Sequence, residues 1–171
     1  MKYPLKKATI GIILSAGLLV GTLDILSAFV DYYIATRKNP LAVLTYIASG
    51  AFGDSALSGG AGMMITGLFF HYFIAFSFTA FFFWLYPRIP FFAVNRVLTG
   101  IGYGIFIWGV MNLVVVQLSG APHSPIPAMK LFKVLKSMCI LIFMIGLPLS
   151  FIAYNYFIDK STDERSVNDA V

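Results

Sequence analysis

Long apolar runs alternate with short polar breaks along this chain, and the runs have the length of membrane spans. A bilayer core of roughly 30 Å takes about 20 residues of α-helix at about 1.5 Å each. By that measure the pattern predicts four spans, over residues 8–34, 62–86, 94–118 and 129–158, then a polar tail over 159–171. The second, GMMITGLFFHYFIAFSFTAFFFWLY from Gly62 to Tyr86, carries one ionisable side chain, His71. Between the first two spans Asn39 is a favourable N-cap and Pro40 suits the first helical position, which predicts a short helix from Pro40 to about Ser49. It is too short to cross a bilayer, and Gly50, Gly53, Gly59, Gly60 and Gly62 follow. Irregular backbone at membrane depth survives only where protein covers it or water reaches it, so an interfacial or re-entrant segment is expected, with a surface loop as the alternative. Pro148 in the last span lacks a donor and collides with the Met144 carbonyl, which predicts a kink. The expected fold class is an all-α membrane protein: a four-helix transmembrane bundle with a short re-entrant or interfacial helix between spans 1 and 2.

Helical periodicity assigns faces within each span. At about 100° per residue, Gly17, Gly21, Asp24, Ala28 and Asp31 share one stripe of the first helix. Gly17 and Gly21 form a GxxxG, which permits close backbone approach, and a carboxylate on the same stripe should face the bundle interior. On the second helix Gly60, Gly67, His71 and Ala75 lie together, with Phe78 one turn further. Phe69, Phe70, Tyr72, Phe73, Phe81, Phe82 and Phe83 are expected to face lipid, with Trp84 and Tyr86 as interfacial anchors; an aromatic ligand box is the alternative. The third helix has two small stripes, Gly100 with Gly104 and Gly102 with Gly109, so it should pack between two neighbours.

Composition sharpens the class. Of 171 residues 59% are hydrophobic and 11% charged, against about a quarter charged in soluble domains, so this is an integral membrane protein. The formal charge of +5 does not indicate nucleic acid, because the basic residues sit at span edges, where they set orientation and meet anionic headgroups. Lys2, Lys6, Lys7, Arg88, Arg96, Lys160 and Arg165 fall on one side, against Arg37, Lys38, Lys130, Lys133 and Lys136 on the other, which places both termini in the cytoplasm. The start, MKYPLKK before an apolar run, also has the layout of a signal peptide cut after Ala28; Leu26 and Asp24 suit such a site poorly, and a retained helix is preferred. The single Cys139 reads as a small buried hydrophobe.

Counted from the helix ends, Asp24 and His71 lie about 15 Å deep on the same side, as candidates for a hydrogen-bonded pair. Asp31, Asn112, Gln117, Lys133 and Lys136 fall in the same, outer half. One reading is a water-accessible polar cavity formed by Asp24, Asp31, His71, Asn112, Lys133 and Lys136, able to move a proton or bind a cationic or polar ligand. The other is structural: Asp24, His71 and Lys136 satisfy one another, while Gly17, Gly21, Gly67, Gly100 and Gly104 set helix packing. Enzyme readings fare worse. No second intramembrane histidine offers a haem pair, no HExxH is present, His123 lies in a proline loop, and GAFGDSALSGG lacks the ending of a phosphate loop; Ser55 and Ser58 carry no supporting motif. No cofactor and no metal are expected. Membrane lipids are the expected partners, and a homo-oligomer is compatible with the glycine stripes.

The chain resembles small multi-span inner-membrane proteins of the YagU type. The resemblance lies in Gly17, Gly21 and Asp24, in a histidine opening an aromatic helix that ends at a Tyr-Pro-Arg-Ile-Pro turn, here His71 through Pro90, and in the glycine-rich third helix leading to SGAPHSPIP. It departs in the Gly- and Ser-rich loop after the first span. What it implies is a bacterial inner-membrane location, with no chemistry attached.

Overall fold

A computed structural model describes residues 10–122 and 130–168. Among them every regular element is helical. The order is α1 (Ile10–Thr36), α2 (Ala42–Phe52), α3 (Gly60–Leu85), α4 (Pro90–Val94), α5 (Arg96–Leu118) and α6 (Leu131–Phe157), whose helical backbone continues to Asn168. α1, α3 with its following turn, α5 and α6 are long and apolar enough to cross a membrane, and they form the four-helix bundle of a multi-pass membrane protein. Lys2, Lys6, Lys7 and His123 lie outside the described residues.

Side-chain caps mark two of the starts. The Asn39 Oδ1 accepts from the Leu41 N–H at 3.0 Å, ahead of α2, and the Asn95 Oδ1 accepts from the Val97 and Leu98 N–H groups at the head of α5. The short helix therefore begins slightly later than Pro40 and runs on to Phe52. α2 packs on α3, with the Leu44 backbone against Gly67 and the Phe52 ring stacked on Phe70 at 6.3 Å. Its far end is fastened to the end of α5 by the Gly120 N–H, which donates to the Gly50 carbonyl at 2.9 Å.

α1 packs against α3 and α6, and α5 packs against α6. The α5–α6 crossing is the closest kind of contact, backbone on backbone. A β-carbon at Gly104 would sit 2.6 Å from the Ile142 Cα, one at Gly100 2.8 Å from the Leu147 Cα, and one at Gly146 2.9 Å from the Gly104 N. One small stripe of α5 thus meets a helix; around Gly102 and Gly109 a β-carbon would meet nothing within 4 Å, so α5 does not use both stripes. Pro148 is accommodated by a π turn over Ile142–Gly146, where the Leu147 N–H donates to the Ile142 carbonyl. Widening the ladder just before the ring takes the chain out of the register in which proline collides with the carbonyl four residues back.

The core holds a correction. Phe82, Phe83 and Tyr86 do not face lipid or the interface: their exposures are 0%, 1% and 3%. Phe82 packs on Tyr103 at 4.4 Å, Tyr86 stacks on Phe157 at 5.3 Å, and Tyr103 O–H donates to the Phe78 carbonyl at 2.6 Å. These rings fill the space between α3, α5 and α6 that small residues leave elsewhere. Trp84 is exposed, as an interfacial anchor should be, with the Arg88 guanidinium over its ring at 4.1 Å.

Leucine at Gly104 or Gly146 should therefore lower stability by about 1–3 kcal/mol, the usual cost of overpacking, whereas Gly102→Leu should leave it unchanged. Thermal unfolding of the three variants in one detergent checks this, and equal loss in all three would contradict the assigned crossing.

Candidate functional site

The site is built where α1 and α3 cross. Of the stripe anticipated on α3, Gly67, His71 and Ala75 are buried and each meets a different partner, whereas Gly60 is exposed and Phe78 half-buried. Gly67 meets the α2 backbone at Leu44, Ala75 meets Gly21, and His71 between them is 9% exposed. Gly21 has no room for a side chain: a β-carbon there would lie 3.0 Å from the Tyr72 ring and 3.2 Å from the Ala75 Cβ. At Gly17 it would collide with the Phe76 ring. These two glycines bring the α1 backbone within reach of α3 side chains.

The His71 Nε2 lies 2.8 Å from the Gly21 carbonyl oxygen. A carbonyl can only accept, so Nε2 carries the proton and donates it. That leaves Nδ1 as the atom that gains or loses a proton. No other hydrogen bond joins His71 to the described residues, and none of their side-chain nitrogens or oxygens is both sealed and unpartnered. Nδ1 therefore keeps an accessible edge. Thr22 and Tyr72 add a second polar link across the same crossing, Oγ1 to OH at 2.9 Å, and the Tyr72 ring meets the His71 ring edge-on at 5.4 Å.

Asp24 lies one turn beyond Gly21 on α1, the helix whose backbone accepts from His71. The expected hydrogen bond between them is not the one formed: among the described residues neither a hydrogen bond nor an ion pair joins them, because the Gly21 carbonyl takes the histidine donor. Lys136 does not join this pair either. Its Nζ lies 2.6 Å from the Asp31 Oδ1, two turns further along α1, in a bond whose side chains are 37% and 38% exposed. Lys133 is exposed and has no ion pair among the described residues.

Asn112 turns to its own helix, where Val110–Val115 form a π turn. Its Nδ2 donates to the Trp108 carbonyl at 3.0 Å, and the Gln117 Nε2 donates to the Asn112 carbonyl at 3.3 Å. In a π turn the i→i+5 spacing displaces carbonyls from their usual partners, and these amides supply donors to the widened stretch. The Trp108 Nε1–H, which sequence reasoning did not single out, donates to the Ser137 Oγ at 2.8 Å and ties α5 to α6. Its signal was the polar handle on a large apolar residue.

Of the residues anticipated as one cavity, the fold joins Asp31 with Lys136, whereas no hydrogen bond or ion pair among the described residues joins Asp24 to His71; both acids lie along one face of α1. Among the described residues no three His, Cys, Asp or Glu side chains come together in a metal-holding group. No family model, no curated protein and no solved structure matches the chain.

The two polar groups at this crossing should separate in their effect on stability. Tyr72→Phe removes a link between α1 and α3 and should cost about 0.6 kcal/mol, the average for such bonds. Asp24→Asn breaks no hydrogen bond of the carboxylate and should leave the unfolding midpoint unchanged in a detergent denaturation series.

Proposed function

We propose that this protein is a small transporter or channel-like protein of the bacterial inner membrane, with Asp24 and His71 as the polar groups that handle a proton or a small polar ligand. The observation that carries the reading is the His71 Nδ1. It is free of hydrogen bonds among the described residues and not fully sealed, and Asp24 lies one turn of α1 from the Gly21 carbonyl that holds the ring. Nε2 is fixed by the Gly21 carbonyl, so protonation at Nδ1 changes the charge of the ring without moving it. An imidazole and a carboxylate carried on the packed helices α3 and α1 are groups that can exchange a proton. Ionisable groups inside spanning helices are costly, which supports a use for them.

Both termini lie in the cytoplasm on this reading. It rests on Arg88 and Arg96, which sit at the bundle end where α1 begins, together with Lys2, Lys6, Lys7, Lys160 and Arg165. The resemblance of the Gly17–Asp24 stretch and of the His71–Pro90 stretch to YagU-type proteins supports the inner-membrane location.

A second reading is structural, favoured by the bond from Nε2 to Gly21. That bond ties α1 to α3 alongside the Thr22–Tyr72 link, whether or not Nδ1 ever changes charge. The two readings part in proteoliposomes. If the pair handles a proton, a pH-gradient-driven proton flux should be present in the wild type and fall at least ten-fold in Asp24→Asn and in His71→Gln. If the pair only fixes packing, both variants should keep the wild-type flux, and His71→Gln alone should melt earlier.

A further inference from the structure

At the end of the bundle where α1 finishes and α6 begins, basic side chains gather without acidic partners. The Asp31–Lys136 bond pins these two antiparallel helices at one level. Arg37 lies six residues beyond Asp31 and Lys130 six residues before Lys136, so both stand about 9 Å from the bond towards the same end. Lys38 and Lys133 flank them, and packed helices lie about 8–10 Å apart. Arg37, Lys38, Lys130 and Lys133 are all exposed, and none forms an ion pair among the described residues. Asp31 is committed to Lys136, and Asp54, in the turn after α2, pairs with none of the four. The collar keeps its positive charge.

Two further observations point to a ligand. Arg37 ends α1 with φ 57°, a left-handed conformation that glycine or asparagine adopts at lower cost. Its guanidinium lies 5.7 Å from the Tyr33 ring centroid, which keeps this cation at the end of α1. Immediately beside the collar, Ile34, Leu131 and Phe132 are exposed by 62%, 71% and 75%. Cations set at the rim of bare apolar surface complement a molecule with an anionic head and hydrocarbon tails.

We propose that this collar binds the phosphate of an anionic phospholipid, whose acyl chains lie along Leu131, Phe132 and Ile34. The site is separate from the Asp24–His71 pair and stands whether or not that pair carries a flux. Each basic residue near a membrane surface is worth about a five-fold change in affinity for anionic lipid.

Native mass spectrometry of the full chain, released from detergent with added phosphatidylglycerol or phosphatidylcholine, tests this. The wild type should retain phosphatidylglycerol selectively, Lys130→Gln/Lys133→Gln should weaken retention by about 25-fold, and Arg88→Gln, at the opposite end, should not alter it. Retention by the wild type should also fall as salt rises, a readout independent of whether the double variant folds. Equal retention of the two lipids, undiminished retention in a folded double variant, or displacement by inorganic phosphate at equal concentration would overturn the assignment.

Discussion

The hydrogen bond from the His71 Nε2–H to the Gly21 carbonyl is the contact on which the α1–α3 half of the bundle depends. It exists because Gly17 and Gly21 strip α1 of side chains on the facing stripe, so that a ring on α3 reaches the backbone of its neighbour. In hydrocarbon no water competes for that carbonyl, and the histidine donor has few other places to go. One bond then does two things. It locks the tautomer of an intramembrane histidine, and it leaves Nδ1 without a hydrogen-bond partner among the described residues.

The other half of the bundle is built on a different economy, in which backbone meets backbone. Gly100, Gly104 and Gly146 bring α5 against α6 so closely that a β-carbon at any of them would strike main-chain atoms. The π turn before Pro148 lies within that contact, so the proline and the close crossing are accommodated by one local widening. Polar side chains here serve the fold: Ser150 Oγ–H donates to the Arg96 carbonyl at 2.6 Å, Trp108 to Ser137, and Asn112 and Gln117 to their own π turn. Between the two halves Phe82, Phe83, Tyr86 and Tyr103 form the common core.

Much of this was legible in the residues, and the failures have a shared cause. The four spans, the helix after Asn39 and the glycines at 17, 21, 67, 100 and 104 could be read because length, capping and steric size leave signatures in a single chain. Phe82 and Phe83 could not be told from Phe69 and Phe73, because in a spanning helix the lipid-facing and core-facing sides are equally apolar and periodicity loses its meaning. Gly146 escaped notice because it lies alone in its helix beside Pro148, outside any GxxxG. Asp24 and His71 were set at one depth, yet depth counted along separate helices gives level and not azimuth. Depth therefore paired the histidine with the carboxylate, while the nearer acceptor was a main-chain carbonyl that no residue letter announces. The same limit hid Lys136 from Asp31.

The bundle's α1–α3 half turns on His71 being held through its Nε2–H by the Gly21 carbonyl. Nitrogen-15 solid-state NMR of the imidazole in bilayers, with His123→Gln removing the other histidine, reads both nitrogens directly. The neutral ring should carry its proton on Nε2, with that N–H hydrogen-bonded to the Gly21 carbonyl. A neutral ring protonated at Nδ1 would contradict it.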